Sequence, residues 1–427
     1  MDMTGRMRVF VAAIVGALLM PLASAQQPAP ASTSAQSATA DKEWFQWRGP
    51  NRDGISQETG LLQEWPKSGP PLVWRTNGAG NGYSSFSTSG GRLYTLGARA
   101  GMEYVIALDR ATGKKVWETQ NGRRFENDRG DGPRSTPTVN GDRLYVLGGN
   151  GDLTCLEHAT GKKIWSVNII QRFGGVNPYW GYSESPLIVG DRILVNTGGR
   201  GAGIAAVSTA DGSTLWRQHN DGAGYSSPML MRTGSLNQVI FFTEDRAMAV
   251  DPRDGRLLWS YNKANNGTAN IATPIVRGTK VFVSSDYGTG GALLDVRAAG
   301  NIATANEVYF TRDMRNHHAS SVLVGDHLYG FSSSILTALM FDTGKTIWRD
   351  RSVGKGSLIF ADGRLYLYSE DSVVGLAEAS PAGYREHGRF TIPQQSGLPT
   401  WSHPIVAGGL LIIRDQDNVY AYNVKSR

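Results

Sequence analysis

The sequence has 427 residues, of which 40% are hydrophobic and 53 are glycine, and its formal net charge is +6 at pH 7. A chain of this length and hydrophobic content can bury a large core, which excludes a disordered protein. The positive charges are scattered through turns, so the composition argues against nucleic-acid binding. The single cysteine, Cys155, excludes an internal disulfide, and its place in an alternating apolar segment predicts a buried core thiol.

Residues 1–25 have the pattern of a secretory signal peptide. A basic start at Arg6 and Arg8 precedes an apolar run, and small residues up to Ala25 form a cleavage site. The apolar run is shorter than a transmembrane helix requires. Residues 26–43 are rich in Ala, Ser, Thr, Pro and Gln, which predicts a disordered linker. We therefore expect a periplasmic or secreted protein, cleaved near Ala25, without a transmembrane segment.

One short pattern recurs along the rest of the chain: an apolar strand, an acidic turn, Thr-Gly or Asp-Gly, and then an apolar residue followed by Trp. Clear copies end at Trp117, Trp165, Trp216, Trp259 and Trp348. Degenerate copies place Phe310 and Phe390 at the aromatic position. Self-similarity at roughly 40 to 50 residues, with several short strands in each unit, is the signature of a β-propeller.

Counting the units gives eight. Their Ser/Thr-Pro-like starts fall near Ser84, Ser135, Glu184, Ser226, Ala272, Ala319, Gly356 and Ser402. The last unit has three strands and no Trp, whereas residues 71–76, with Trp74, match the missing fourth strand. The sequence therefore predicts that residues 44–427 form one all-β domain, an eight-bladed β-propeller of four-stranded antiparallel blades closed by the N-terminal strand.

The recurrent aromatic residue has a structural explanation, since a large ring on the outer strand can fill the wedge between neighbouring blades. We expect this docking role for Trp74, Trp117, Trp165, Trp216, Trp259 and Trp348.

The stretch 107–117 resembles the tryptophan-docking repeat of the pyrroloquinoline-quinone (PQQ) propeller superfamily. Segments 47–54, 130–137, 180–186 and 316–318 resemble an exported bacterial subfamily of PQQ-like repeat proteins, similar to the barrel-assembly lipoprotein BamB. The resemblance implies the propeller fold and a role in binding protein or envelope components.

Two departures from the related families stand out. Gln26 follows Ala25 where a lipoprotein has Cys, and one cysteine cannot form the adjacent pair that quinoprotein alcohol dehydrogenases often carry beside the quinone. The Glu/Asn/Asp calcium and catalytic set of those enzymes cannot be assigned by motif, so no catalytic residue is predicted.

The first strand of each blade lines the channel of a propeller, so equivalent positions converge there. Counting three residues back from the Pro position of each unit gives a predicted channel ring: Tyr83, Arg134, Ser183, Tyr225, Ile271, His318, Lys355 and Trp401. Arg and Lys can hold carboxylates, and Trp or Tyr can stack on a flat or sugar-like ligand. With polar neighbours added, the predicted ligand-binding set is Tyr83, Arg134, Glu184, Tyr225, Asn270, His317, His318, Lys355, Trp401 and His403. The alternative is a solvated polar channel mouth without a ligand.

Two motifs suggest metal binding on first inspection. Successive side chains on a strand point to opposite faces, so one metal could not easily take both His317 and His318, and we predict no metal site. Residues 127–132 have acidic ligands at short spacing but lack the full calcium-loop pattern, which favours a turn.

The sequence favours an exported, non-catalytic propeller that serves as a protein-interaction or envelope-assembly scaffold, with a small ligand at the central channel. We expect a monomer whose partners are envelope proteins or a small molecule, and no cofactor. The alternative is a periplasmic PQQ-dependent alcohol dehydrogenase-like oxidoreductase with PQQ and calcium, because Arg134, Lys355 and Trp401 can receive a planar tricarboxylate. A third candidate is carbohydrate or polymer binding at the aromatic channel mouth.

Overall fold

A computed structural model describes residues 43–426. The predicted signal peptide and all but the last residue of the predicted linker lie outside the described residues. That last residue, Glu43, forms an ion pair with Arg110, at 3.2 Å between carboxylate and guanidinium. Within residues 43–426, no helix is long and apolar enough to cross a membrane.

The described chain folds into eight sheets, each made mainly of four consecutive strands. Two early strands, β1 (Ile55–Ser56) and β2 (Leu72–Asn77), join sheets that are completed much later. Blades 1 and 2 comprise β3 (Ser87–Ser89), β4 (Arg92–Arg99), β5 (Met102–Asp109), β6 (Lys115–Arg123), β7 (Thr138–Asn140), β8 (Arg143–Leu147), β9 (Asp152–Glu157) and β10 (Lys163–Asn168). A five-residue helix, α1 (Ile169–Phe173), follows.

The remaining blades repeat this plan. Blades 3 to 5 comprise β11 (Leu187–Val189), β12 (Arg192–Gly199), β13 (Ala202–Ser208), β14 (Thr214–Gln218), β15 (Met229–Thr233), β16 (Leu236–Phe242), β17 (Ala247–Val250), β18 (Leu257–Tyr261), β19 (Ile275–Arg277), β20 (Lys280–Ser285), β21 (Gly290–Ala299) and β22 (Ile302–Thr311). Blades 6 to 8 comprise β23 (Val322–Val324), β24 (His327–Ser332), β25 (Ile335–Met340), β26 (Thr346–Asp350), β27 (Gly356–Ala361), β28 (Arg364–Ser369), β29 (Val373–Glu378), β30 (Glu386–Thr391), β31 (Ile405–Ala407), β32 (Leu410–Asp415) and β33 (Asn418–Asn423). The predicted eight-bladed propeller is confirmed.

The core lies between blades. Second and third strands are buried on both faces, and their apolar side chains interdigitate with those of the next blade. One such cluster joins Leu194 and Ile204 of blade 3 to Phe241 and Met248 of blade 4. Because each blade buries both faces against neighbours, the ring must close to cover the last exposed sheet.

The N-terminal strand closes the ring, as predicted. Strand β2 pairs antiparallel with β33, with Arg75 opposite Tyr420, and becomes the outer strand of blade 8. Strand β1 pairs parallel with β27, with Ile55 opposite Phe360, which adds a fifth strand to blade 7. Two consecutive blades are therefore completed by residues that precede blade 1.

Outer-strand Trp side chains contact the neighbouring blade. The Trp117 ring lies against Gly161 of blade 2, and its Nε1–H donates to the His158 carbonyl at 3.2 Å. A Cβ atom at Gly161 would overlap the ring. The same packing is made by Trp74, Trp165 and Trp216 on Gly113, Gly212 and Gly255. Trp259 differs, because the long β21–β22 hairpin that follows has no Thr-Gly turn, and its Nε1–H donates to Gln238 of its own blade at 2.8 Å.

The docking positions predicted for the two degenerate copies are wrong by one and two residues. A bulge between Leu293 and Leu294 places Tyr309, not Phe310, at the docking position, against Gly344. In blade 7 a bulge between Leu376 and Ala377 places Gly388 at the equivalent position. Trp65 from the N-terminal segment packs on that glycine, so Phe390 lies two residues beyond the position predicted for it.

Candidate functional site

A non-repeating segment, residues 44–56, closes one end of the central channel; we call it the plug segment. It contacts the inner parts of blades on several sides of the ring. The carbonyls of Trp44 and Phe45 accept backbone hydrogen bonds from Thr88 of blade 1 and Val139 of blade 2, both at 2.8 Å. Trp47 donates its Nε1–H to the Thr273 hydroxyl of blade 5 at 2.9 Å.

Two buried arginines fix the plug segment to the inner ends of the blades. Arg52 donates to the carbonyl of Ser185 at 2.7 Å and to that of Pro186 at 3.1 Å. Arg48 donates to the Ser321 carbonyl at 2.6 Å. The planar guanidinium has five donors and can serve several carbonyls at once. Burial lowers the pKa of Arg48 to about 10 and that of Arg52 to about 9, so both stay protonated at neutral pH.

A cavity of about 440 Å³ lies in the channel beyond the plug segment. All eight positions of the predicted channel ring line it: Tyr83, Arg134, Ser183, Tyr225, Ile271, His318, Lys355 and Trp401. His317 and His403, predicted as neighbours, line it as well, together with Trp47 of the plug segment. Residues that the sequence analysis did not single out also contribute, namely Arg129, Trp180, Ser227 and Tyr287.

Two residues of the predicted ligand-binding set lie outside this cavity. Glu184 is buried, and its Oε1 accepts the backbone N–H of Asn196 at 2.7 Å. Asn270 is buried too, and its side-chain amide donates to the Thr243 carbonyl at 2.8 Å. Each is adjacent in sequence to a ring residue, but its side chain is held by the neighbouring backbone and does not line the cavity. Both support the loops around the cavity.

Aromatic rings and cations form the cavity wall. The centroids of Tyr83 and Trp401 are 4.9 Å apart, and those of Trp180 and Tyr225 are 5.6 Å apart. The Arg134 guanidinium lies over the Tyr83 ring at 5.3 Å and donates to a backbone carbonyl at 2.7 Å. Burial lowers its pKa to about 10, so it keeps its charge at neutral pH.

The described residues that line the cavity include three cations and no acid. None of the described residues that line the cavity is Asp or Glu, whereas Arg129, Arg134 and Lys355 all contribute to it. Just behind the cavity wall, Glu370 Oε1 forms an ion pair with Lys355 Nζ at 3.1 Å. The same oxygen accepts a hydrogen bond from Trp401 Nε1 at 2.6 Å. The cavity therefore favours an anion over a cation as an organic ligand.

Both adjacent histidines face the cavity, which corrects the expectation that their side chains point to opposite faces. They precede β23 in an irregular segment, so the alternation of a strand does not apply. His317 Nε2 lies 3.2 Å from the Tyr287 hydroxyl. The His318 side chain is 8% exposed, and its Nδ1 lies 3.4 Å from Glu370 Oε1. Glu370, in the turn after β28, carried no motif that marked it in the sequence.

With this geometry established, comparisons with known proteins identify the family. The family model described as outer membrane protein assembly factor BamB matches residues 101–350. The chain belongs to this family. No curated protein matches the sequence.

Solved structures share the fold at low identity. BamB from Moraxella catarrhalis is similar with a TM-score of 0.60 and 16% identity, covering 83% of this chain and 99% of that one. The quinohemoprotein alcohol dehydrogenase ADHIIG from Pseudomonas putida has a TM-score of 0.65 and 13% identity, covering 94% of this chain and 83% of that one. A quinohemoprotein alcohol dehydrogenase from Comamonas testosteroni has a TM-score of 0.64 and 13% identity, covering 93% and 83%.

Glu184 beneath the channel ring should make stability depend on pH. Burial raises its pKa from an ordinary value of 4.5 to about 8, which the charge of Arg52 opposes. Between these values the folded chain holds a proton that the unfolded chain has released. The stabilisation is therefore complete below pH 4.5 and is lost as the pH rises through about 8. We expect Glu184→Gln to abolish this fall in the free energy of unfolding, which is about 4 kcal/mol, in denaturant unfolding measured from pH 5 to pH 9.

The matched control for this measurement is Glu126→Gln, because Glu126 is a solvent-exposed carboxylate with 68% of its side chain accessible. The control should follow the wild-type pH curve. A constant difference between wild type and Glu184→Gln across the range would contradict the assignment.

Proposed function

We propose that this protein is an exported, non-catalytic β-propeller that serves as a scaffold for envelope proteins and holds a small anionic ligand in its central channel. One observation carries the ligand part: the cavity is closed at one end by the plug segment and lined by aromatic and cationic side chains. Membership of the BamB family supports the scaffold part.

The lining suggests the chemistry of the ligand. A volume of about 440 Å³ suits a small organic molecule, since ligand pockets span roughly 300–1,000 Å³. Arg134 and Lys355 attract carboxylates, and the rings of Trp401 and Tyr83 offer faces for stacking. We therefore expect a flat ligand that carries carboxylate groups. A neutral sugar can stack on the same rings but would leave Arg134 without an anionic partner.

A quinoprotein oxidoreductase is the second candidate, favoured by the fold shared with quinohemoprotein alcohol dehydrogenases. Arg134 and Lys355 can hold the carboxylates of PQQ. Calcium fits poorly, because it takes six to eight oxygen ligands and the described lining residues include no carboxylate. The nearby Glu370 adds only one carboxylate, and its Oε1 already accepts from Lys355 and Trp401. We therefore assign no catalytic step.

Titration with PQQ, a planar tricarboxylate, tests the ligand proposal. We expect saturable, calcium-independent quenching of Trp fluorescence at one molecule per chain, without turnover in a dye-linked alcohol assay. Arg134→Gln should weaken binding about tenfold, because it removes one charge-assisted contact. The control Arg143→Gln changes an arginine of β8 outside the cavity and should bind like wild type.

Two results would count against this account. Calcium-dependent uptake with alcohol turnover would establish the oxidoreductase instead. No quenching by PQQ, or equal quenching in Arg134→Gln, would remove the support for a carboxylate ligand in this cavity.

The scaffold part makes a separate prediction. The mature protein, immobilised and exposed to envelope extracts, should retain the same protein partner in independent preparations, and soluble mature protein should compete for it. Heat-denatured protein on the same resin is the control. If nothing is retained beyond what this control binds, the scaffold proposal fails while the ligand proposal stands.

A further inference from the structure

We propose that His317, His318 and Glu370 form a binding site for a divalent transition metal of the zinc type in the channel cavity. The inference does not rest on the proposed function, since the metal needs neither the organic ligand nor a protein partner.

The three side chains already lie close together. One potential ligand atom from each lies within 4.8 Å of the others, and His318 Nδ1 is 3.4 Å from Glu370 Oε1. Two imidazoles and a carboxylate form one of the ligand sets of zinc proteins. Zn–N and Zn–O bonds of about 2.1 Å place tetrahedral ligand atoms roughly 3.4 Å apart, so modest side-chain rotation is enough to complete the set.

The buried ring nitrogens of His318 are a second, independent indication of a metal site. Its side chain is 8% exposed, and neither ring nitrogen has a hydrogen-bond partner among the described residues. A buried polar group without a partner is costly and calls for an explanation. His317 Nδ1 has no partner among them either.

Glu370 has an oxygen available for the metal. The contacts from Lys355, Trp401 and His318 within the described chain all go to Oε1, which leaves Oε2 for coordination. The Lys355 ammonium repels a cation at this position, but its side chain is 28% exposed and can turn into the cavity. Three protein ligands leave a coordination position open toward the cavity, as in zinc sites that bind water or a ligand.

The test uses mature protein without an affinity tag, stripped with chelator and titrated with zinc chloride alone in a calorimeter. We expect one zinc ion per chain. His318→Gln and His317→Gln should each lower the affinity at least about tenfold, since even loss of an outer-shell contact commonly costs that much. The control His327→Gln, in blade 6 and outside the cavity, should bind like wild type.

Thermal melting gives a second readout. Zinc should raise the melting temperature of wild type and of His327→Gln, and not that of the cavity variants, because a ligand stabilises the state that binds it. Lys355→Met should bind zinc more tightly than wild type, since the competing ammonium is gone. If His318→Gln does not fold, as judged by circular dichroism, the zinc affinity of His317→Gln tests the proposal instead, because His317 lies nearer the cavity mouth.

Zinc binding that is equal in wild type, His317→Gln and His318→Gln would overturn the proposal, as would the absence of saturable binding. If the same preparations still bind PQQ, the result contradicts the metal site and leaves the proposed ligand-binding function standing.

Discussion

Arginine side chains satisfy backbone carbonyls where the blades converge on the channel, and the arrangement of the candidate site depends on this interaction. The entry segments reach the axis before their strands begin, so the sheets leave some carbonyls there without partners. Arg52 serves those of Ser185 and Pro186, and Arg48 serves those of Ser320 and Ser321. Both arginine residues are 2% exposed. By joining blades 3 and 6 through one chain segment, they give the channel a floor.

The same stretch of chain links this floor to closure of the ring. Residues 44–56 close one end of the channel, β1 extends blade 7, and β2 completes blade 8. Closure pairs the edge of the last blade and leaves each apolar face covered by a neighbour. The rigid ring then holds eight equivalent entry positions around one cavity, and the differences among their side chains give the cavity its chemistry.

Repetition explains how much could be predicted from the sequence. The Ser/Thr-Pro-like starts set a common register, so counting back three residues identified eight positions that do line one cavity. Trp74 precedes the first complete unit, and the last unit lacks a Trp, so Trp74 indicated the strand that closes the ring. The Phe310 assignment failed because blade 5 has the long β21–β22 hairpin in place of a short Thr-Gly turn, so the spacing from that turn does not locate the docking position. The opposite-face argument for His317 and His318 failed because it assumed a strand where the chain is irregular.

The plug segment and Glu370 could not be predicted in this way. Arg52 contacts residues more than 130 positions away, and its segment has no second copy with which to align. Glu370 lies in the turn after β28, and its neighbours Lys355 and Trp401 precede the first strands of blades 7 and 8. Both are long-range features that a local pattern does not encode.

Amide hydrogen exchange of residues 44–56 tests the central claim most directly. The backbone amides of Gly49, Arg52 and Gly54 are hydrogen-bonded within the segment, at 3.1, 3.1 and 2.9 Å, and the segment is held by buried guanidinium groups. A plug of this kind predicts protection close to that of the inner strands, far above that of the exposed loop 393–398. Exchange of residues 44–56 as fast as that loop would contradict the account, because the channel would then have no fixed floor.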